Sequence, residues 1–390
     1  MAIVPVLANT AAPSIFSLRN RALVYAGFSA TGVSLALPGA LMPWLVAHWA
    51  LQDSQAGLLL FLFFLGTSCG AMLSRGSLRW SIVRGGVCAA AGAALLPVVS
   101  RDAAFAAIFL FGLGLGTLMT STSLLQSRRF ASDRAPEMTR LNLIWALGAC
   151  LGPWLILHKG IGDATHDRHV LFGLAAFFAV FAAAVAAFER DAPAPVAAVT
   201  KPRRFSLLAV PAPLLVMVFC ATGVEASSGG WLATYSQRSG HSLSITIAAP
   251  TCFWAGLLVS RMLHSSSRVS RGARNFLLTA NLATLAAALV ALISFENAPV
   301  ILIAAFLVGF CAGPMYPLLL ALVFEHDSSN LIFVLAGLGS SILPFLTGTL
   351  STAAHSLRGG LLVPATAATA MTMCGWLTVR ARRSVQKIVG

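Results

Sequence analysis

Glu225 stands in GVEASSGGWLATY, residues 223 to 235, within an apolar stretch running from near Leu207 to Gln237. A carboxylate taken into hydrocarbon costs roughly 2.5–3.5 kcal/mol on insertion scales, so it must meet a cavity or a partner. There it could carry a proton, hold a cation, or accept hydrogen bonds from a solute's hydroxyls. Trp231 and Tyr235 follow on the same segment, Trp231 on a different helix face from the acid. In LMTSTSLLQ, residues 118 to 126, the polar side chains of Thr120, Ser123 and Gln126 recur every third position and trace one drifting face. Trp44, Asn142, Trp145, Trp254, Asn281, Met315, Tyr316 and Ser340 complete the candidate lining of a polar site. Tyr316 lies between Pro314 and Pro317, where a bent helix could expose backbone groups.

Each candidate also has a plainer reading. Glu225 could be a protonated packing group. Trp231, Tyr235 and Trp44 could anchor at the membrane interface. Thr and Ser hydroxyls can bond back to their own helix, Trp145 and Trp254 can be core, and Asn142 and Asn281 can bridge helices. Gln126 is harder to hide, although Arg128 close by makes the end of a span an equal place for it.

No catalytic set assembles from these residues. Glu225 has no second carboxylate at its depth and no Ser/His/Asp grouping forms, so an enzyme is not expected. His48, His158, His264 and His355 fall near span ends without paired spacing, and no metal or other cofactor is expected. The glycines of GLGLG, residues 112 to 116, follow no strand and read as helix-packing positions. Cys69, Cys88, Cys150, Cys220, Cys252, Cys311 and Cys374 all fall within apolar runs, as small packing residues.

The elements that must hold these groups follow from composition. Of 390 residues, 58% are apolar and 10% charged, with a mean hydropathy of +0.84, against roughly 25% charged in soluble domains. A span needs about 20 apolar residues, because lipid offers no partner to backbone groups. That ruler gives an all-α polytopic membrane protein with twelve spans: 22–48, 55–74, 81–99, 104–126, 139–158, 169–188, 207–235, 245–263, 274–294, 299–324, 330–353 and 360–379. The net charge of +14 is a matter of topology and not of nucleic acid. Of the 26 Lys and Arg, only Arg101, Lys159, Arg168, Arg238 and Arg358 fall on the side opposite the termini. Both termini are therefore expected in the cytoplasm. No N-x-S/T sequon is present, which fits a bacterial inner membrane, and the first span lacks a signal peptide's basic start, so it is expected to be retained.

ERDAPAPVAAVTKPRRF, residues 189 to 205, divides six spans from six and reads as a cytoplasmic linker. The expected organisation is a first half 1–188, a linker 189–206 and a second half 207–390. GAMLSR at 70 to 75 pairs with GLLVSR at 256 to 261, PWL at 43 to 45 with GWL at 230 to 232, Gly112 and Gly116 with Gly309 and Gly313, and GACLGPW at 148 to 154 with GSSILPF at 339 to 345. Four matches in one order mark a parallel repeat. They also make Trp44 the counterpart of Trp231 and set Glu225 against Gly39 or a near neighbour.

Twelve spans in a 6+6 repeat, with G-x-x-x-S-R after the second, resemble the major facilitator superfamily. GAMLSRGSLR keeps Gly70, Arg75 and Arg79 of that superfamily's loop motif, with Ser74 in place of its acid and Ser77 in place of its second glycine. The resemblance implies a cytoplasmic gate of Gly70, Arg75, Arg79 and, in the second half, Arg261. GLGTLMTSTS, GPMYP and GVEASSGGW resemble segments of the fucose-permease-like sugar transporters. That branch's fourth-span Glu falls on Met119 and its Asn on Ser123, so its proton-coupling groups are replaced. The resemblance implies a secondary transporter in the lipid bilayer, expected as a monomer, taking a small solute such as a monosaccharide by alternating access. Glu225 is the candidate for coupling to a proton or sodium ion. Efflux of amphipathic molecules by antiport and a non-transporting sensor or scaffold are the alternatives, and the GACLGP fragment favours the former.

Overall fold

The computed structural model describes residues 15–130, 133–160, 163–189, 210–265, 271–324 and 331–389, and among them there is no strand. The helices are α1 (Ile15–Trp49), α2 (Asp53–Met72), α3 (Leu78–Leu95), α4 (Arg101–Arg129), α5 (Arg134–Leu157), α6 (Ala164–Phe188), α7 (Ala212–Arg238), α8 (Leu243–Ser265), α9 (Arg271–Ser294), α10 (Ala298–Ala312), α11 (Met315–Phe324), α12 (Leu331–Ala353), α13 (Leu357–Gly360) and α14 (Leu362–Val389). Helices α10 and α11 form one span broken at Gly313 and Pro314, and α13 with α14 form another. The sequence-expected spans are thus found with shifted ends. Residues 190–209, which hold nearly all of the expected linker, lie outside the described residues. Among the described residues, ten helices are long and apolar enough to cross a membrane unaided.

Backbones approach most closely where glycine removes the side chain. A Cβ on Gly112 would lie 2.1 Å from the Phe63 carbonyl oxygen, and one on Gly116 1.9 Å from that of Thr67, which fuses α4 to α2. The same contact recurs between α10 and α8: Gly309 sits on Phe253 at 1.8 Å and Gly313 on Leu257 at 3.1 Å. Gly66 against Phe109 O is matched by Gly256 against Phe306 O, and Gly148 against Ser29 O by Gly339 against Phe219 O. The repeat therefore lies in backbone contacts.

Those contacts correct two pairings drawn from the sequence: with Gly66 set against Gly256, Gly70 falls against Ser260 and Arg75 against Ser265, so GAMLSR and GLLVSR are one turn out of register. If Ser29 corresponds to Phe219, the register runs on to set Gly39 against Gly229, Leu35 against Glu225, and Trp44 against Thr234. Trp44 and Trp231 are not counterparts. Gly39 and Gly229 instead touch one another, α1 against α7, with a Cβ on Gly39 placed 2.1 Å from the Gly229 oxygen.

Polar side chains add ties between helices. Thr222 Oγ1 donates to Ala336 O at 2.7 Å, and Thr372 Oγ1 to Leu282 O at 3.1 Å. At the end of the bundle that carries the termini, Glu137 is fully buried. It accepts from Arg21 at 2.5 Å, from the Tyr25 hydroxyl at 2.7 Å and from Arg140 at 3.4 Å. The expected fifth span, starting at 139, leaves this acid outside; α5 starts earlier and takes it in. Arg129 pairs in the same region with the buried Glu189.

Gly309→Val places two methyl groups where Phe253 backbone now lies, and overpacking of this kind costs about 1–3 kcal/mol or more. Gly173 on α6 has nothing within 4 Å of an added Cβ. In detergent, Gly309→Val should lower the thermal unfolding temperature by several degrees and Gly173→Val should leave it within a degree or two. Equal melting of the two variants would contradict the packing described.

Candidate functional site

Glu225 lies at the midpoint of α7 and is only partly exposed. Its carboxylate accepts no hydrogen bond from a described residue, yet it lies within the electrostatic reach of Arg261 on α8 and of Tyr316 on α11. Helix register explains the approach. Trp254 of α8 packs on α7 at Gly229, where a Cβ would stand 3.1 Å from the indole Cζ2. The helices run antiparallel, so one turn towards the termini brings Glu225 level with Leu258, and Arg261 follows about one turn further on. A long arginine side chain spans that step.

Trp145 of α5 closes the group from the other six-span set. Its ring meets Trp254 edge to face at 5.9 Å between centroids, and the Arg261 guanidinium carbon stands 5.0 Å from its centroid, within cation–π range. Both tryptophans are 4% exposed. Both indole Nε1 groups and Arg261 Nε are buried donors without an acceptor. Tyr316 follows directly on the break of the tenth span at Gly313 and Pro314, at the start of α11, which packs on α7. Five residues from α5, α7, α8 and α11 thus converge near the middle of the bundle. Four of them were candidates by sequence; Arg261 was expected at the gate.

The other candidates are dispersed. Trp231 is fully buried and donates from Nε1 to Pro344 O at 3.1 Å, and the Tyr235 hydroxyl donates to Leu292 O at 2.7 Å. Both act as packing ties within α7–α14. Asn281 bridges to Cys311 O at 2.6 Å, the plainer of its two readings. Trp44 stacks on His48 at 5.2 Å, and Asn142 is exposed. Ser340 donates to its own helix at Ala336 O. Thr120 and Ser123 are half-buried on α4, and Gln126 is buried there with Oε1 unpartnered. Met315 is buried.

At the face away from the termini, a tie across the two six-span sets escaped the sequence reading. Asp53, the first residue of α2, accepts a bidentate pair from Arg238, the last residue of α7, at 2.6 and 2.7 Å. Ser351 of α12 donates to the same carboxylate at 2.5 Å, and Ser54 N donates to Thr352 Oγ1 at 2.8 Å. A cavity of about 770 Å³ adjoins it, lined among others by Gln52, Glu296, His355 and Arg358. Asp53 and Arg238 each fall at a span end, where an isolated charge is ordinary.

The sequence matches the Major Facilitator Superfamily over residues 22–331. The chain is a member of that superfamily. No curated protein matches it by sequence. Solved structures share the fold at low identity. A bacterial homologue of the human lysosomal transporter Spinster, in an inward-facing and occupied conformation, aligns with TM-score 0.67 and 13% identity over 93% of this chain and 97% of its own. The E. coli fucose:proton symporter FucP aligns with TM-score 0.58 and 16% identity over 93% and 98%. The human organic anion transporter MFSD10 gives 0.63 and 16% over 91% and 98%. The all-α, twelve-span architecture is therefore the major facilitator fold, a transporter fold in the membrane.

As a facilitator, the chain carries its altered loop motif in a definite setting. Gly70 packs on Leu113 O of α4 and accepts from Thr117 Oγ1 at 3.0 Å, and Ser74, where the motif has its acid, donates to Thr117 O at 3.2 Å. Arg79 donates to Ala186 O near the end of α6, whose dipole favours a cation. Arg75 is exposed, whereas Arg261, which the backbone register sets against Ala71, lies over Trp145. The loop's contacts hold α2, α3, α4 and α6 of this facilitator to one another.

Screened by solvent, the Asp53–Arg238 pair is worth on the order of 1 kcal/mol. Asp53→Ala and Arg238→Ala should each lengthen and broaden the distance between spin labels on the ends of α1 and α8 at the face away from the termini. The double variant should do little more than either alone, because the two act through one interaction. Unchanged distances would show that the pair does not hold this face together.

Proposed function

We propose that the chain is a proton-coupled secondary transporter of a small, hydroxylated solute of monosaccharide size, working by alternating access of α1–α6 against α7–α14. The reading rests on the placement of Glu225. An acid at mid-membrane depth that accepts no hydrogen bond from the described residues, within the electrostatic reach of a cation and a phenol, suits a group that gains and loses a proton with each cycle. Trp145 and Trp254 supply the apolar walls that a ring-shaped solute packs on, and their free N–H groups supply hydrogen bonds to its oxygens. The fucose:proton symporter among the similar structures is an instance of this fold carrying a monosaccharide together with a proton. Termini in the cytoplasm and a bacterial inner membrane complete the proposal.

Glu225→Gln removes the titrating group and keeps the shape. Proteoliposomes carrying this variant should fail to concentrate solute under an inward proton gradient while still exchanging labelled for unlabelled solute across the membrane. Undiminished accumulation by the variant would remove Glu225 from coupling.

A further inference from the structure

The surroundings of Glu225 are rich in donors and poor in acceptors. Trp145 Nε1, Trp254 Nε1 and Arg261 Nε are three buried N–H groups that no protein oxygen satisfies. Such donors cost about 1–3 kcal/mol each when unmatched. They belong to α5 and α8, which come from opposite six-span sets, and the edge-to-face rings and the guanidinium over Trp145 hold them in one place. By the backbone register Arg261 falls at the repeat position of Ala71, so its charge has no counterpart in the first set of spans. An arginine turned from the surface into the junction of the two sets is not explained by closing a loop.

Charge balance then limits the solute. While Glu225 is ionised, it neutralises Arg261. Once Glu225 takes a proton, Arg261 keeps its charge, because a guanidinium does not deprotonate in proteins. A lone cation at this depth needs a counter-charge. We infer that the transported solute supplies it: the substrate is a hydroxylated monocarboxylate, such as a sugar acid, whose carboxylate binds Arg261 and the two indole N–H groups. The inference rests on the transport reading above and narrows it. A guanidinium presents paired N–H groups that match a carboxylate, and its stacking on Trp145 fixes the plane of the fork. A monoanion entering with one proton carries no net charge. A neutral sugar entering with one proton carries a charge of one.

The test uses the full-length protein, purified and reconstituted. D-glucuronate, D-galacturonate and D-gluconate are compared with D-glucose, D-galactose and D-glucitol, by binding in detergent and by uptake into proteoliposomes. At least one acid should bind about tenfold or more tightly than its neutral partner. Its uptake should follow a pH gradient and ignore a potassium–valinomycin potential. Arg261→Gln should lose that preference, Arg261→Lys should keep part of it, and Glu225→Gln should bind the acid but not concentrate it. Similar melting temperatures for the variants separate lost recognition from lost folding. If a neutral sugar accumulates, with a response to potential, and the acids do not, this inference falls and the transport reading stands. If Arg261→Gln prefers the acid as the wild type does, Arg261 is not its binding group and the inference falls. Binding of neither panel overturns both the inference and the monosaccharide-sized solute.

Discussion

Helices in a bilayer gain little by burying apolar side chains against one another, since the lipid is equally apolar, so association must come from contact distance and from polar ties. In this chain that contact is glycine against carbonyl. Gly112 and Gly116 of α4 against α2, Gly309 of α10 and Gly313 after it against α8, Gly148 of α5 against α1, and Gly339 of α12 against α7 let backbones meet where a Cβ would intrude. The contact fixes each helix pair in depth as well as in distance, because a small slide would put a side chain where a carbonyl lies. Everything at mid-depth inherits that register. Trp254 meets α7 at Gly229, and Arg261 falls one turn beyond the level of Glu225, only because α8 and α7 are held to their neighbours in this way.

The polar groups divide into two kinds. Trp231, Tyr235, Asn281 and Thr222 spend their hydrogen-bonding capacity on backbone oxygens of neighbouring helices and so become part of the frame. Trp145, Trp254 and Arg261 hold donors that the frame leaves unmatched. A hydrogen-bonded aromatic and an unmatched one look alike in a sequence. What separates them is whether a carbonyl lies within reach, and that depends on tertiary packing.

Legibility followed the same line. The repeat could be read from glycine spacing because the contact it makes needs no side chain, and the same positions recur in both sets of spans. Matching PWL to GWL and GAMLSR to GLLVSR failed because both followed residue type instead of backbone contact, and they paired Trp44 and Arg75 with residues in a different register. Glu225 stood out against an apolar run. Glu137 did not, since RAPEMTR reads as a charged loop and its partner Arg21 is 116 positions away. Arg261 was recognised as a motif residue, but an arginine near a span end gives no sign of which way it will turn.

The two carboxylate clusters differ in what happens when they part. Glu137 sits buried among two arginines and a tyrosine, and separating it from them would strand an ionised group away from water. That cluster behaves as a weld. Asp53 stands at the N-terminus of α2 and Arg238 at the C-terminus of α7, each at the helix end whose dipole suits its sign, with 11% and 38% of its side chain exposed. When they separate, neither charge is left without stabilisation, because each returns to water at a helix end already favourable to it. The pair can therefore open with little penalty in either state, unlike Glu137, and it joins the two sets of spans at the face away from the termini.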